Sequence, residues 1–294
     1  MKNVETIQIN VTEELKKVAT KKGVNLEAIS HSYFLERWLD RLSISPYQES
    51  FLLKGDYLLA ALTNGKIPAP STISLSAKQM TQHTLELQRV LQEISAIEVP
   101  EDGVTFLGNE LKMVVEQDQV NSKIPVQLGQ VHSYIEINIS FRDQPILKPR
   151  LTAFPTLLGT DSLTLLGNST EVVIAEKFDA MIRAVDEDAR MKDFYDVYVL
   201  LNNQTVEGRV LQEAVLEIFD RHRTLLERDL PLLSETFYLN SQKNDQWLAF
   251  SNQKDLAFEA VIKCIQKAVT PVYHAIVNED EFFGDWDCKL QDWK

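Results

Sequence analysis

The chain has 294 residues, of which 44% are hydrophobic and 25% are charged, a size and balance typical of a globular protein with two domains. Its net charge of -13 argues against a surface that binds nucleic acid along its length, because phosphate backbones attract Lys and Arg. An acidic surface favours solubility or the binding of a basic protein partner. No apolar run reaches the roughly 20 residues that a membrane helix needs, so we predict no membrane anchor. The residues after Met1 lack the apolar core of a signal peptide, and two cysteines are too few for a disulfide framework. We therefore predict a cytoplasmic protein.

The first half of the chain mixes helical and strand periodicity. Its pattern predicts helices over residues 11–22, 26–42, 57–62 and 77–96, and strands over 51–53, 72–76, 104–107, 111–116, 123–128 and 134–141. Gly55 permits a tight turn between the first strand and the helix that follows it. In the last strand, apolar residues alternate with polar ones such as Glu136 and Asn138, so one face is predicted to be core and the other polar.

The second half is predicted to be mostly helical. Apolar spacing favours helices over residues 175–184, 192–201, 207–222 and 253–276, and these would form a bundle. Trp286 and Trp293 favour an ordered arm in the tail, since two tryptophans are costly to leave in water. We therefore predict an α+β chain with a first domain at 1–155 and a mostly helical domain at 156–294.

Four segments resemble one protein family, the AbiEii-type nucleotidyltransferases, which are the toxin halves of abortive-infection toxin–antitoxin systems. Phe51–Gly55 (FLLKG) resembles the first motif, and Glu36–Ser45 resembles the helix that leads into it. Ala175–Phe178 (AEKF) and Arg190–Asp196 (RMKDFYD) resemble the third and fourth motifs. The resemblance covers nearly the whole chain and implies a polymerase-beta-type nucleotidyltransferase fold, with a mixed sheet, flanking helices and a C-terminal helical bundle.

The resemblance also implies a mechanism. Two acids spaced as Asp-x-Asp on one strand face the same side and bind Mg²⁺, and a third acid on a neighbouring strand completes the site. Lys and Arg side chains balance the triphosphate, so that catalysis consists of positioning and charge stabilisation. An active member would use Mg²⁺ and a nucleoside triphosphate, and would transfer a nucleotide to an acceptor such as the end of a tRNA. A cognate antitoxin is the implied protein partner.

This chain departs from the family pattern at the metal positions. Thr72 and Ser74 occupy the places of the acid pair, and Asn138 occupies that of the third acid. These neutral groups bring no charge, whereas Mg²⁺ sites rely on carboxylates, so we expect no metal in an ordinary site. A metal site could be present only if the carboxylate of Asp56 or Glu136 replaced the missing acids as a metal ligand. The alternative is that Asp56 is a helix N-terminal acid and Glu136 a solvated strand residue.

Basic residues in the motifs favour a phosphate ligand. By resemblance, Lys177 and Asp193 match catalytic positions. The proposed nucleotide- or phosphate-binding set is Lys54, Gly55, Thr72, Ser74, Asn138, Glu176, Lys177, Arg190 and Lys192. An ion-pair network is the alternative, with Glu176 on a nearby base and Lys192 on Asp196 at i, i+4. The carboxylates of Asp193 and Asp196, on one helix face, would then either bind a cation or link helices.

Three functions remain open from the sequence. The first is a divergent toxin-family protein, impaired in Mg²⁺-dependent transfer, that binds a nucleotide or an RNA end in a local pocket. The second is an active nucleotidyltransferase that modifies RNA or protein through an altered metal site. The third is a non-catalytic protein-interaction or regulatory module.

Overall fold

The computed structural model describes residues 4–67, 70–78, 84–141, 145–159, 163–183, 190–251 and 256–294. The chain divides into two compact units, one of Met1–Pro145 with Pro149–Asn168 and one of Ile146–Lys148 with Ser169–Lys294. The sequence predicts a division at residue 155, and the first compact unit extends to Asn168. The reason is a strand at Leu163–Gly167, which pairs with strands of the first unit.

The first unit combines a sheet with helices. Its helices are α1 (Val4–Lys22), α2 (Leu26–Ile44), α3 (Gly55–Leu62) and α4 (Thr84–Ser95). Its strands are β1 (Phe51–Lys54), β2 (Thr72–Ala77), β3 (Val104–Phe106), β4 (Lys112–Glu116), β5 (Gln119–Leu128), β6 (Val131–Ser140), β7 (Arg150–Phe154) and β8 (Leu163–Gly167).

These strands form one mixed sheet within the described part of the unit. The order is β3-β5-β6-β2-β1-β8-β7, and β4 extends the sheet by pairing with β5. Two pairings are parallel, β2 with β6 and β1 with β8, and the others are antiparallel. The predicted mixed α+β architecture is confirmed.

One face of the sheet is the core of the first unit. Ile73 and Leu75 of β2 lie beside Ile137 and Ile139 of β6, and each is at most 1% exposed. The amphipathic helix α2 contacts both β6 and α4, and its start is capped by Asn25, whose side chain accepts a hydrogen bond from the Ala28 N–H. Burial of these aliphatic side chains is the main stabilising term for the unit.

A buried ion pair joins α2 to the turn before β3. Arg41 Nη1 lies 2.7 Å from Asp102 Oδ2, and both side chains are 2% exposed. The same guanidinium donates to the carbonyls of Ile97 and Val104 and lies over the ring of Phe106. Because the donors are satisfied in this way, the charge is tolerated in the core.

The second unit is a helical bundle with a small sheet. Its helices are α5 (Thr170–Arg183), α6 (Met191–Leu201), α7 (Gly208–His222), α8 (Ser241–Ser251) and α9 (Phe258–Val277). Its strands are β9 (Val206–Glu207), β10 (Asp285–Asp287) and β11 (Asp292–Trp293). Trp286 is fully buried and donates its indole N–H to the Leu201 carbonyl, so the tail is an ordered arm. No helix in the described ranges has the length and apolar character to cross a membrane.

Several predicted bounds were wrong. The helix predicted from residue 77 is contradicted there, because Ala77 pairs with Phe51 in the sheet; α4 is described from Thr84. Strands β7 and β8 and helix α8 were not predicted. The helix predicted from residue 253 is observed from Phe258, and residues 252–255 lie outside the described part, as do Pro68 and Ala69 of the predicted loop.

Removal of the acid of the buried pair should destabilise the first unit. We expect Asp102→Ala to lower its free energy of unfolding by about 3–5 kcal/mol, because the Arg41 charge is left buried without its partner. Native-state hydrogen exchange of the β2 and β6 amides would measure this for the first unit by itself. The control is Glu13→Ala, which removes an exposed pair with Lys16 and should change nothing measurable. Equal effects of the two variants would contradict a stabilising role for the buried pair.

Candidate functional site

The turn from β1 into α3 is built around Gly55. Its φ of +67° lies in the left-handed region, where an L side chain is strained. A Cβ placed there would lie 3.4 Å from Ser74 Cβ and 3.5 Å from its Oγ, so glycine brings the backbone close to β2. Lys54, half-buried at the end of β1, is the residue before the helix. The first motif is therefore a strand, a glycine turn and a helix N-terminus beside Ser74.

Three predicted site residues form one row across the sheet. Lys54 pairs with Ser74 in the antiparallel register of β1 and β2, and Ser74 pairs with Asn138 in the parallel register of β2 and β6. The row continues to Asn121 on β5. Strand partners lie on the same face, so the ammonium, hydroxyl and amide groups are neighbours on the polar side of the sheet, opposite the core.

A second row runs beside the first. Thr72 pairs with Glu136 of β6, and Glu136 pairs with Lys123 of β5. Lys123 Nζ lies 3.6 Å from Glu136 Oε1 and 3.1 Å from the ring centroid of Tyr134. Glu136 is thus a half-exposed strand residue with a basic neighbour. Asp56 lies in the first turn of α3, where a carboxylate interacts favourably with the helix dipole.

Residues of β5 were missed by the sequence reasoning. Asn121 and Lys123 complete the two rows, yet only the pairing of β5 with β6 places them beside the predicted residues. A local pattern was available, because Gln119, Asn121 and Lys123 alternate with the buried side chains of Val120, Ser122 and Ile124. That pattern predicts a polar face without indicating which strand lies next to it.

The helix before the first motif carries a buried acid. Glu36 is 4% exposed. Its carboxylate accepts hydrogen bonds from Arg37 Nη2 at 2.5 Å and from the backbone N–H of Leu157 at 2.7 Å. Burial raises the pKa of Glu36, and the adjacent Arg37 charge opposes that shift. This motif residue links α2 to the loop that follows β7.

The third and fourth motifs meet in the second unit as an ion-pair network. Lys177 of α5 donates to Asp193 Oδ1 at 2.8 Å and to Asp196 Oδ2 at 2.7 Å, both on α6. Lys192 donates to the same Asp196 oxygen at 2.7 Å, as its i, i+4 spacing predicted, and Arg190 donates to Asp193 Oδ2 at 3.2 Å. Glu176, on α5, is half-buried and has its own interactions. The network links α5 to α6.

The carboxylate of Asp196 is the most buried member of this network. Its side chain is 1% exposed, and Oδ2 accepts hydrogen bonds from two lysines. Oδ1 is buried and has no hydrogen-bond partner within the described part of the chain. Two ammonium groups on one oxygen compensate the desolvation of this carboxylate. Asp196 therefore has a structural role, since it holds α5 and α6 together from a buried position. Asp193 joins the same helices but is more accessible, at 15% exposure.

Comparison with known families decides the identity of this fold. The sequence profile of one family, described as the nucleotidyl transferase AbiEii toxin of a type IV TA (toxin–antitoxin) system, matches residues 37–264. The chain belongs to the AbiEii family. The matched range contains the strand–turn–helix at Gly55, both polar rows of the sheet and the α5–α6 network. The family resemblance inferred from the sequence motifs is confirmed.

Solved structures share the AbiEii fold of this chain. JHP933 from Helicobacter pylori aligns with a TM-score of 0.50 and 12% identity, over 87% of this chain and 95% of its own. A candidate nucleotidyltransferase from H. pylori aligns with a TM-score of 0.52 and 12% identity, over 88% of this chain and 100% of its own. At this identity the similarity shows the fold, which confirms the predicted nucleotidyltransferase-like class. Comparison with curated proteins finds no match.

The two cysteines of this AbiEii protein differ in their surroundings. Cys264 of α9 is 8% exposed, as predicted for a buried thiol, and Asn202 Nδ2 lies 3.9 Å from its sulfur. Burial raises the pKa of the Cys264 thiol to about 11. Cys288 is half-buried. A thiol that stays protonated at neutral pH is a poor nucleophile, so Cys264 is a packing residue.

Alkylation of the cysteines should follow this difference. At pH 8, iodoacetamide should modify Cys288 well before Cys264, because the raised pKa lowers the thiolate fraction at Cys264 about 100-fold relative to an ordinary thiol. The Cys264 rate should rise as pH approaches 11. Mass spectrometry of tryptic peptides over a time course measures both rates, and unfolding in urea is the control that equalises access. Equal rates in the native protein at pH 8 would refute this assignment.

A double-mutant cycle tests whether Lys177 and Asp193 act structurally. We expect Lys177→Met and Asp193→Asn to be coupled by about 0.5–3 kcal/mol of unfolding free energy, since their charged atoms are 2.8 Å apart and mostly buried. Chemical denaturation of the single and double variants gives the coupling. The matched cycle uses Lys263 and Glu259, an exposed pair in α9 that should show no coupling. Purely additive effects at Lys177 and Asp193 would leave the network without a stabilising role.

Proposed function

We propose that this protein is a nucleotidyltransferase-fold toxin of a toxin–antitoxin pair, impaired in Mg²⁺-dependent nucleotidyl transfer, whose polar sheet face binds the phosphate of a nucleotide or RNA end. Membership of the AbiEii family supports the toxin assignment. The observation that carries the proposal is the register of Ser74 beside Asn138, two neutral side chains on neighbouring strands where the family resemblance implies carboxylates.

The donors on this face do not fit an ordinary magnesium site. Thr72, Ser74 and Asn138 offer neutral oxygens, whereas Mg²⁺ in proteins relies on one or two carboxylates together with substrate phosphates. Glu136 is the acid of these two rows, and Lys123 lies 3.6 Å from it. Among the described residues, no group of three or more His, Cys, Asp and Glu side chains is arranged to hold a metal. We therefore assign no catalytic step to a metal.

The same face suits a phosphate. Lys54 supplies a positive charge in the row of Ser74 and Asn138, whose hydroxyl and amide groups can donate hydrogen bonds. Gly55 begins α3, so the first N–H groups and the positive end of the helix dipole lie beside Ser74. Lys177, Arg190 and Lys192 of the third and fourth motifs stay a proposed phosphate-binding group within the second unit, although their charges already neutralise Asp193 and Asp196.

We infer that the cognate antitoxin is a protein with a basic contact surface. The family description supports a toxin role, and a net charge of -13 favours a basic partner through long-range attraction. The charge balance also disfavours a nucleic-acid coat, so an RNA ligand would be held at its end, in a local site.

Nucleotide binding without metal tests the proposal. Isothermal titration with ATP, CTP, GTP and UTP, each in Mg²⁺ and in EDTA, should show weak binding of at least one nucleotide that does not require Mg²⁺. Lys54→Ala should weaken it about tenfold or more, because a hydrogen bond to a charged group contributes about 1.5–3 kcal/mol. Lys22→Ala, which removes an exposed charge at the end of α1, is the control.

The other outcomes identify the alternatives. Binding that requires Mg²⁺, together with transfer of a labelled nucleotide to RNA or protein, would establish an active enzyme with an altered metal site at Asp56 or Glu136. No binding of any nucleotide would favour a non-catalytic interaction module. A gain of Mg²⁺-dependent binding in the double variant Thr72→Asp, Ser74→Asp would support neutral replacement as the cause of impairment. The isosteric control is Thr72→Asn, Ser74→Asn, which should show no gain.

A further inference from the structure

A cavity of about 360 Å³ lies within the second unit, and none of its lining residues belongs to the family motifs. It is formed by the C-terminal end of α5 and by the segment that follows α7, including the helical turn Pro231–Leu233. Its volume lies within the range of small-molecule sites, which is roughly 300–1,000 Å³. The lining residues are Ile182, Arg183, Arg223, Thr224, Leu225, Glu227, Leu230, Pro231 and Leu232.

Two arginines supply the positive charge of this cavity. Arg223 ends α7 in the left-handed conformation, with φ of +57°, and its side chain is exposed. Within the described part of the chain, the guanidinium of Arg223 has no acidic partner. Arg183 forms an ion pair with Asp179 through its Nε, and its two Nη atoms have no hydrogen-bond partner among the described residues. The guanidinium of Arg223 and the Nη groups of Arg183 can therefore donate hydrogen bonds to an anionic ligand.

A buried carboxylate behind the cavity holds its polar groups in position. Asp179 is completely buried and accepts hydrogen bonds from Arg183 Nε at 2.8 Å and from the hydroxyl of Thr224. His222 Nδ1 lies 2.7 Å from the same carboxylate. Because Asp179 fixes both Arg183 and Thr224, less conformational entropy is lost when a ligand binds to them.

Apart from Thr224 and Glu227, the rest of the lining is apolar. Leu230 and Leu232 are 5% and 1% exposed and contribute to the wall, whereas Leu225 is 73% exposed. Covering this exposed leucine with an apolar group of a ligand removes apolar surface from water and so favours binding. The ligand should therefore carry both an oxyanion for the arginines and a small apolar body for the leucines.

We propose that this cavity binds a small amphipathic oxyanion, a carboxylate or phosphate monoester attached to a short apolar group. The oxyanion contacts the guanidinium groups of Arg183 and Arg223, and the apolar group lies against Leu225, Leu230 and Leu232. Glu227, also in the lining, disfavours highly charged anions, so a polyphosphate is a poorer ligand than a singly charged group. This site shares no residue with the polar sheet face and does not depend on its function.

Titration by NMR of the intact 294-residue chain tests the proposal. Hexanoate and hexyl phosphate serve as probes, and neutral hexanamide has the same apolar chain without the charge. We expect either anion to shift the backbone amides of residues 222–233 in a saturable way, with an affinity about tenfold or more above that of hexanamide. The anion with the lower dissociation constant identifies the oxyanion that the arginines prefer.

Two variants locate the binding site. Arg223→Asn keeps a residue that tolerates the left-handed cap and should weaken hexanoate binding about tenfold. Glu227→Gln should strengthen it, since a negative charge is removed from the lining. The matched control, Arg221→Ala, removes the same charge from the last turn of α7 outside the cavity and should leave binding unchanged.

Specific results would overturn the proposal. Equal binding of hexanamide and hexanoate would eliminate the oxyanion site, and an Arg221→Ala effect as large as that of Arg223→Asn would reduce it to general charge attraction. Shifts scattered over other exposed leucines instead of residues 222–233 would mean that the probe adsorbs to apolar surface. The amide spectrum of each variant also reports whether it is folded, so a misfolded variant is replaced by Leu225→Ser, which should weaken binding of the apolar chain.

Discussion

The parallel register of β2 against β6 is the constraint on which the first unit depends. Once Ile73 lies beside Ile137 and Leu75 beside Ile139, the period of two places Ser74 and Asn138 together on the opposite face. A slip by one residue would expose the aliphatic side chains and bury the polar ones. The same contacts that bury the core therefore position the polar rows, and Gly55 allows the β1–α3 turn to approach Ser74 closely.

In the second unit, ion pairs between α5 and α6 position the motif residues. The charges of Lys177, Lys192 and Arg190 are matched by the carboxylates of Asp193 and Asp196, so motif residues that resemble catalytic groups also join α5 to α6. A phosphate that binds to these lysines would compete with carboxylates 2.7–2.8 Å away. The stability of the bundle and the affinity for such an anion are thus opposing demands on the same side chains.

Much of the fold was predictable where local periodicity is strong. The helices around Trp38, Phe194 and Phe219, and the strand around Ile137, were predicted because one face of each is apolar at the appropriate period. β7 and β8 were missed because each has only five residues; they pair with each other, and β8 joins the sheet through β1, which is distant in sequence. α8 was missed because its polar and apolar residues show little segregation, and Trp247 anchors it through a hydrogen bond from its indole to the Leu256 carbonyl.

The family motifs, the alternation of polar and apolar positions and the absence of acids at positions 72, 74 and 138 can be recognised without coordinates, because they are properties of residue identity and spacing. Which residues are neighbours depends on the folded chain. The fold places Asn121 and Lys123 in the polar rows, joins Lys177 to both Asp193 and Asp196, and forms a cavity from Arg183 and Arg223. Such contacts join segments far apart in the chain, and their selection depends on burial and pairing that no local pattern encodes.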